Sequence, residues 1–295
     1  MRTSICYWAL LAIVAVLLTA AIAETSAKQS LERNVYYKDK ALVLVYHDVK
    51  SAADESGSLP AGTISEEQLQ DHLRMLAERG FQVIGMELFA KFMLEGKRIP
   101  PNAIVLTFDD GYESFYTNAA PVLGQFGVPA SNFIIGVSSD LYNPEADPHL
   151  SWAQMRELKR RGMGFYSHTY NLHRTVPTDR AGSRQPALTA RKYMDNYQRS
   201  ESEDAYRKRV FSDLTFLEKR LREELGSQSG LLAFPYGAYD EIAVQEAHSA
   251  GIELFFTIEE GSNRPGTRLV KRLNAGEPYV TSEALWGMLQ RYFDK

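Results

Sequence analysis

Runs of branched and aromatic apolar residues recur along the chain, each closed by polar or glycine-containing turns. The stretches ALVLVYHDV (41–49), FQVIG (81–85), IVLTFDD (104–110), ASNFIIG (130–136), MGFYSHT (163–169), GLLAFPYG (230–237) and IELFFTI (252–258) read as strands. Between them apolar residues fall at helical spacing. Helices are predicted over 64–80, 86–96, about 112–126, 151–162, about 203–225, 240–251 and 282–293. Ser65 and Ser151 stand where N-caps belong, and Gly80, Gly96 and Gly127 where helices end. Residues 174–200 are long, polar and without a period, which predicts an irregular surface loop that is mobile or acts as a lid.

Strands and helices alternate six or seven times with no internal repeat. That order predicts a parallel sheet wrapped by helices, and the length suits an incomplete or distorted (β/α) barrel. In such folds chemistry gathers at the C-terminal ends of the strands. Four predicted strand ends carry unusual polar groups: His47-Asp48, Asp109-Asp110, His168 with His173, and Pro235-Tyr236-Gly237.

Composition narrows this picture. A net charge of −4 on 295 residues, with only short basic runs such as Lys159-Arg160-Arg161, gives no footprint for nucleic acid or an anionic membrane. No partner protein is evident, and the reading is of a monomer. Arg2 followed by an apolar run from Ile5 to Ala23, with Ala21-Ile22-Ala23 before Glu24, reads as a secretory signal peptide (1–23). Residues 24–40 then form a linker to a catalytic domain over 41–295. The expectation is a secreted, cell-surface or periplasmic protein; the alternative is an uncleaved anchor, since the run approaches the ~20 residues that span a bilayer. Cys6 lies within that run and is the only cysteine, so neither disulfides nor thiol chemistry are expected beyond it.

Adjacent carboxylates at the end of a buried strand repel one another. They are tolerable when a cation neutralises one and the other serves in proton transfer. Two imidazoles five residues apart, turned inward after a strand, would join one carboxylate in a mixed nitrogen–oxygen site with open positions, as catalytic zinc requires. His72 and His248, inside predicted helices, read as packing or surface residues, and His149 as part of a loop. Among the aromatics, Tyr112, Tyr166 and Tyr170 are candidates to stack on a ligand ring.

The motif TFDDGY (107–112) resembles the first motif of the polysaccharide deacetylases, SHTYNLH (167–173) the second, and FPYGAYD (234–240) the third. The early LVYHDV (44–49) resembles the circularly permuted branch that de-N-acetylates poly-β-1,6-N-acetylglucosamine of biofilm matrix. The four residues between the histidines suit that branch too. The resemblance implies a deacetylase-type (β/α) barrel and a hydrolase acting on an N-acetylglucosamine polysaccharide through a divalent metal, zinc first, with nickel, cobalt or iron as alternatives. It implies that Asp109 is the general base, that Asp110, His168 and His173 hold the metal, and that His47 is the general acid. The main-chain N–H of Tyr236 would help hold the oxyanion, and Pro235 would shape the groove. Relatives carry an arginine shortly before the third-motif proline to orient the base. Here Ala233 and Phe234 stand there, and Arg272 is the candidate substitute. Asp48 is a candidate to orient His47. The late Leu-x-His motif of the wider family is absent, as expected for the permuted branch. Deacetylation of peptidoglycan or chitin oligomers is the alternative activity, and a silent carbohydrate-binding protein the alternative class; the intact Asp-Asp, His-His and His47 set argues against the latter.

Overall fold

Aliphatic residues at consecutive positions, rather than alternate ones, mark strands covered on both faces. The first, β1 (Ala41–Tyr46), is buried at all six positions, and β3 (Ala103–Asp110) at every position but its last. The structure is a computed structural model and describes residues 35–51 and 58–294. The predicted signal peptide and the linker up to residue 34 lie outside these residues. Among the described residues no helix is long and apolar enough to cross a membrane.

Seven further short strands join the same sheet: β2 (Gln82–Val83), β4 (Ser131–Ile134), β5 (Gly164–Ser167), β6 (Leu231–Ala233), β7 (Leu254–Phe256), β8 (Leu269–Val270) and β9 (Leu273–Asn274). The order is β8-β7-β6-β5-β4-β3-β1-β9, with β2 also against β3, and each of these pairings is parallel. The two outermost members are halves of one stretch, separated only by Lys271 and Arg272. Leu269–Val270 pairs with β7, and Leu273–Asn274 with β1. The curled sheet thus meets itself in a single segment, giving the expected distorted (β/α) barrel. Sequence reading missed this closing stretch, because two-residue strands carry no measurable period.

Inside the barrel, Val43, Val105, Phe133, Leu231 and Phe256 form one cluster with Phe89, Phe92 and Met93 of the helix Met86–Glu95. The helices are α1 (Glu66–Glu78), α2 (Met86–Glu95), α3 (Ala120–Phe126), α4 (Trp152–Arg160), α5 (Glu203–Leu225), α6 (Glu241–Ser249) and α7 (Ser282–Gln290). Ser65 Oγ accepts from Gln68 N, and Ser151 forms a full capping box with Gln154, as their positions predicted. Gly96 and Gly127 close their helices in the left-handed conformation. The helix expected from about 112 begins instead as a π-turn over Phe115–Ala119 that runs into α3.

Residues 174–200 are not irregular. They fold into two small antiparallel ribbons, Thr175–Pro177 with Arg184–Pro186 and Tyr193–Met194 with Arg199–Ser200. One face of α5 holds this insertion. Tyr206 donates its hydroxyl to Leu188 O at 2.8 Å, and Arg209 donates to Ala187 O, Ala190 O and the Glu201 carboxylate at 2.7–3.0 Å. Leu188 and Ala187 are buried beneath. Polar side chains of the insertion also bind its own backbone: Arg184 donates to Thr175 O at 2.7 Å, and Asp179 accepts from Ser183 N at 3.1 Å.

Candidate active site

Strand parity carries Asp109 into the barrel mouth on the same side as Val105. There it meets Arg272, which the closing segment turns inward from between β8 and β9. The guanidinium forks both carboxylate oxygens at 2.8 Å, and its Nε donates to Thr257 O at 2.9 Å. Both side chains are almost fully buried. Burial disfavours a charged Asp109, but the Arg272 charge and hydrogen bonds, with help from His168 and His47, outweigh it and hold the carboxyl below its usual range. Asp109 is thereby kept ionised in one orientation.

Asp110 leaves the strand in the left-handed conformation, φ 72°, followed by Gly111 at φ 78°. This double turn reverses the carboxylate's direction. The positive φ and a Cβ that would approach Ile134 at 3.1 Å favour glycine at 111 on two counts. Thr169 (φ 70°) and Tyr236 (φ 58°) adopt the same unfavourable region, the former despite its branched side chain. Strained backbone at three of the polar strand ends is characteristic of a functional site.

His168 follows β5 and His173 ends the next turn. The His168 Nδ1–H donates to Ala233 O at 2.8 Å, which leaves the Nε2 lone pair facing Asp110. Asp110 Oδ1 lies 3.4 Å from His168 Nε2 and 3.3 Å from His173 Nε2. This oxygen is buried and has no hydrogen-bond partner. Three potential donors thus lie within 4.8 Å of one another, and the two Asp110–histidine separations match the edge of a tetrahedron with ligands at ~2.0–2.1 Å, about 3.3–3.4 Å. Burial alone would raise Asp110, yet the imidazoles around it bring its pKa well below the carboxylate range. Burial and the His168 charge push His173 down to about 4, so its imidazole is neutral and free to ligate near pH 7. These three residues are placed to hold one metal ion.

His47, directly after β1, and Asp110 line one cavity of about 330 Å³, together with Asp48, Tyr112 and Asp147. The His47 Nδ1 is buried without a hydrogen-bond partner. Tyr236 lays its ring against His173, centroids 4.6 Å apart, and is half exposed, while Pro235 is buried.

A model of the family described as "Polysaccharide deacetylase" matches residues 96–255. The chain belongs to the polysaccharide deacetylase family. It is similar to two relatives named poly-β-1,6-N-acetyl-D-glucosamine N-deacetylase. One, from Escherichia coli strain K12, is 30% identical over 75% of this chain and 34% of its own length. The other, from Staphylococcus epidermidis, is 25% identical over 88% of both. The chain thus spans about a third of the Escherichia coli relative. The solved de-N-acetylase from Aggregatibacter actinomycetemcomitans superposes with a TM-score of 0.76 at 27% identity, covering 85% of this chain and 100% of that one.

Of the family-derived expectations, Asp109, Asp110, His168, His173, His47 and Tyr236 gather at one rim, and Arg272 reaches Asp109 from the closing segment. Asp48 is tied elsewhere: its carboxylate accepts the Ser114 hydroxyl at 2.6 Å and pairs with Lys50 at 3.2 Å, so those groups rather than His47 anchor it. Tyr166 is buried in the core and donates to Glu87, and Tyr170 packs on Phe216; of the three stacking candidates only Tyr112 lines the cavity. His72 is buried between Tyr46 and Val280 O, a packing residue as its helix predicted.

Sequence reading missed Asp213. From the face of α5 that also carries Arg209, its two oxygens accept the backbone N–H groups of Tyr170 and Asn171, each at 2.8 Å. These are the middle residues of the loop between the two histidines. In sequence Asp213 is one acid among many in a charged helix, with no signal to separate it from solvated neighbours. Burial pushes its carboxyl up to about 6, against the pull of those N–H groups. Asp213→Ala is expected to lower metal affinity about 10–100-fold, as loss of groups that orient ligands does elsewhere. Competition for zinc against a chromogenic chelator measures this. Unchanged affinity would mean that the Leu172 N–H bond to Thr169 Oγ1, at 3.1 Å, holds the loop by itself.

Proposed function

We propose that this chain hydrolyses the N-acetyl amides of poly-β-1,6-N-acetylglucosamine, the polymer named for its relatives, and that it does so outside the cytoplasm in a biofilm matrix. The observation that carries the reading is His47. It lies far upstream of the Asp-Asp motif, yet lines the same cavity as Asp110 with a buried, unpartnered ring nitrogen. The proposed metal ligands are Asp110, His168 and His173. A divalent ion there, zinc by its preference for such donors, would supply Lewis-acid polarisation of the acetyl carbonyl and a water of lowered pKa.

The chain's own residues do the rest. Asp109, kept ionised and immobile by Arg272, accepts the proton of the attacking water. His47 gives a proton to the departing nitrogen, so that acetate and a glucosamine amine leave. The N–H of Tyr236, fixed by its left-handed backbone, faces the developing oxyanion, and buried Pro235 shapes the wall beside it. The apolar run at 5–23 supports export through a signal peptide.

Acetate release from defined oligomers tests the reading. The β-1,6-linked N-acetylglucosamine series should be the preferred substrate, with activity lost on chelation and restored by adding back zinc, cobalt, nickel or iron. Acetate from β-1,4-linked chitin or peptidoglycan fragments alone would transfer the site to those polymers.

A further inference from the structure

His47 is the single residue between β1 and a short strand, Asp48–Lys50, which pairs in parallel with Thr63–Ser65 and not with the barrel sheet. Its Nδ1 has no hydrogen-bond partner among the described residues. No bond at that edge of the ring sets its direction, so the direction rests on the backbone to either side. Before His47 the barrel supplies the hold. Ala275 N donates to Val45 O at 3.0 Å, and Gly276 packs so closely that a Cβ there would lie 2.9 Å from Tyr46 Cα.

After His47 the chain leaves the sheet, and one turn holds it. Ser114 Oγ donates to Asp48 Oδ1 at 2.6 Å and accepts Val49 N at 3.3 Å, while Asn118 Nδ2 donates to Val49 O at 2.6 Å. Lys50 occupies the other Asp48 oxygen at 3.2 Å, and Asp48 N donates to Gly62 O at 3.2 Å. Ser114 stands at the start of the π-turn Phe115–Ala119, yet its side chain makes no capping bond there, the common use of serine at a helix start. The hydroxyl is turned to the segment after His47 instead. Turns of this kind within helices recur at functional sites. Ser114 also lies only four residues beyond Asp110, so the loop that carries the proposed base and one proposed metal ligand reaches back to the segment that carries the proposed acid.

We infer that Ser114 is a positioning residue for His47: through Asp48 and Val49 it fixes where the imidazole stands relative to Asp109 and Asp110. The inference rests on the proposed deacetylase reading. An acid held out of place slows the chemical step while leaving substrate binding alone, so the loss belongs to kcat and not to KM.

Ser114→Ala, assayed on β-1,6-linked N-acetylglucosamine oligomers beside an activated acetyl ester, tests it. On the oligomer kcat should fall about 10-fold, part of what a misplacement near 1 Å can cost, with KM and metal content close to wild type. The ester should lose much less, because its leaving group needs no proton. In a His47→Ala background the same substitution should change amide turnover by less than about 2-fold, since two residues that act through one group are not additive. Ser114→Thr keeps the hydroxyl and should recover most of the wild-type rate. Asp48→Ala breaks the same bond from its other end and should give the same amide-selective loss, a second reading should the first variant fold poorly. Unchanged oligomer kinetics would overturn the inference. So would equal losses on amide and ester, or a loss that persists undiminished in the His47→Ala background, either of which makes Ser114 a structural residue of its loop. Each of these results leaves the deacetylase reading standing while His47→Ala itself loses amide activity. A His47→Ala protein with full amide activity would remove the observation that carries the reading, and the inference with it.

Discussion

Asp109→Asn is expected to lower deacetylation about 10²–10⁴-fold, the share of rate that a positioned acid or base supplies, with metal content close to wild type. The amide has the shape of the carboxylate but cannot accept the proton of water. The metal seat is built from Asp110 and the two histidines and does not require Asp109. Substitution also leaves Arg272, 2% exposed, without its counter-charge. Breaking a buried ion pair by removing one partner typically costs about 3–5 kcal/mol, so a lower melting temperature should accompany the kinetic loss. Metal analysis and a thermal melt on the same preparation separate the two effects. A folded, metal-loaded Asp109→Asn protein that turns over at near wild-type rate would remove Asp109 from proton transfer and leave it as Arg272's structural partner.

His47→Ala is expected to keep the metal and lose about 10²–10⁴-fold on an amide substrate, with a much smaller loss on an activated acetyl ester. The difference lies in the leaving group. An amine must be protonated to depart, whereas an activated phenolate or enolate leaves unaided. His47 therefore matters in proportion to the basicity of what it expels. Parallel assays of N-acetylglucosamine oligomers and the ester give the ratio directly. Equal losses on both would point to substrate placement rather than proton donation. No loss on either would remove His47 from the reaction and, with it, the main reason to favour the β-1,6-linked polymer over chitin or peptidoglycan.

His47 was legible as a strand-end histidine in LVYHDV, and the structure brings it to Asp110 because a parallel barrel delivers every C-terminal strand end to one rim. The Arg272–Asp109 fork joins residues 163 positions apart. The family resemblance put Arg272 forward as a substitute for the missing arginine, but nothing in LVKRLNAG itself shows that its side chain is buried. Lys271 beside it is exposed while Arg272 is buried, an alternation visible only once the segment is known to close the sheet.

The sequence by itself determined the alternation of strands and helices, the capped starts of α1 and α4, and the strand ends where His47, Asp109, Asp110, His168 and Pro235 stand. These are local matters, since runs of branched residues, capping hydroxyls and terminal glycines act within a few positions. Parallel order then leaves the polar ends only one side of the sheet on which to meet. Tertiary structure alone decided the closing stretch at 269–274, the staple of residues 174–200 onto α5, the hold of Asp213 on the loop between the histidines, and the turning of Asp48 away to Ser114. In each of these the deciding side chain is polar or charged. Its function depends on burial and on a distant partner, and neither leaves a period or a motif in the chain that carries it.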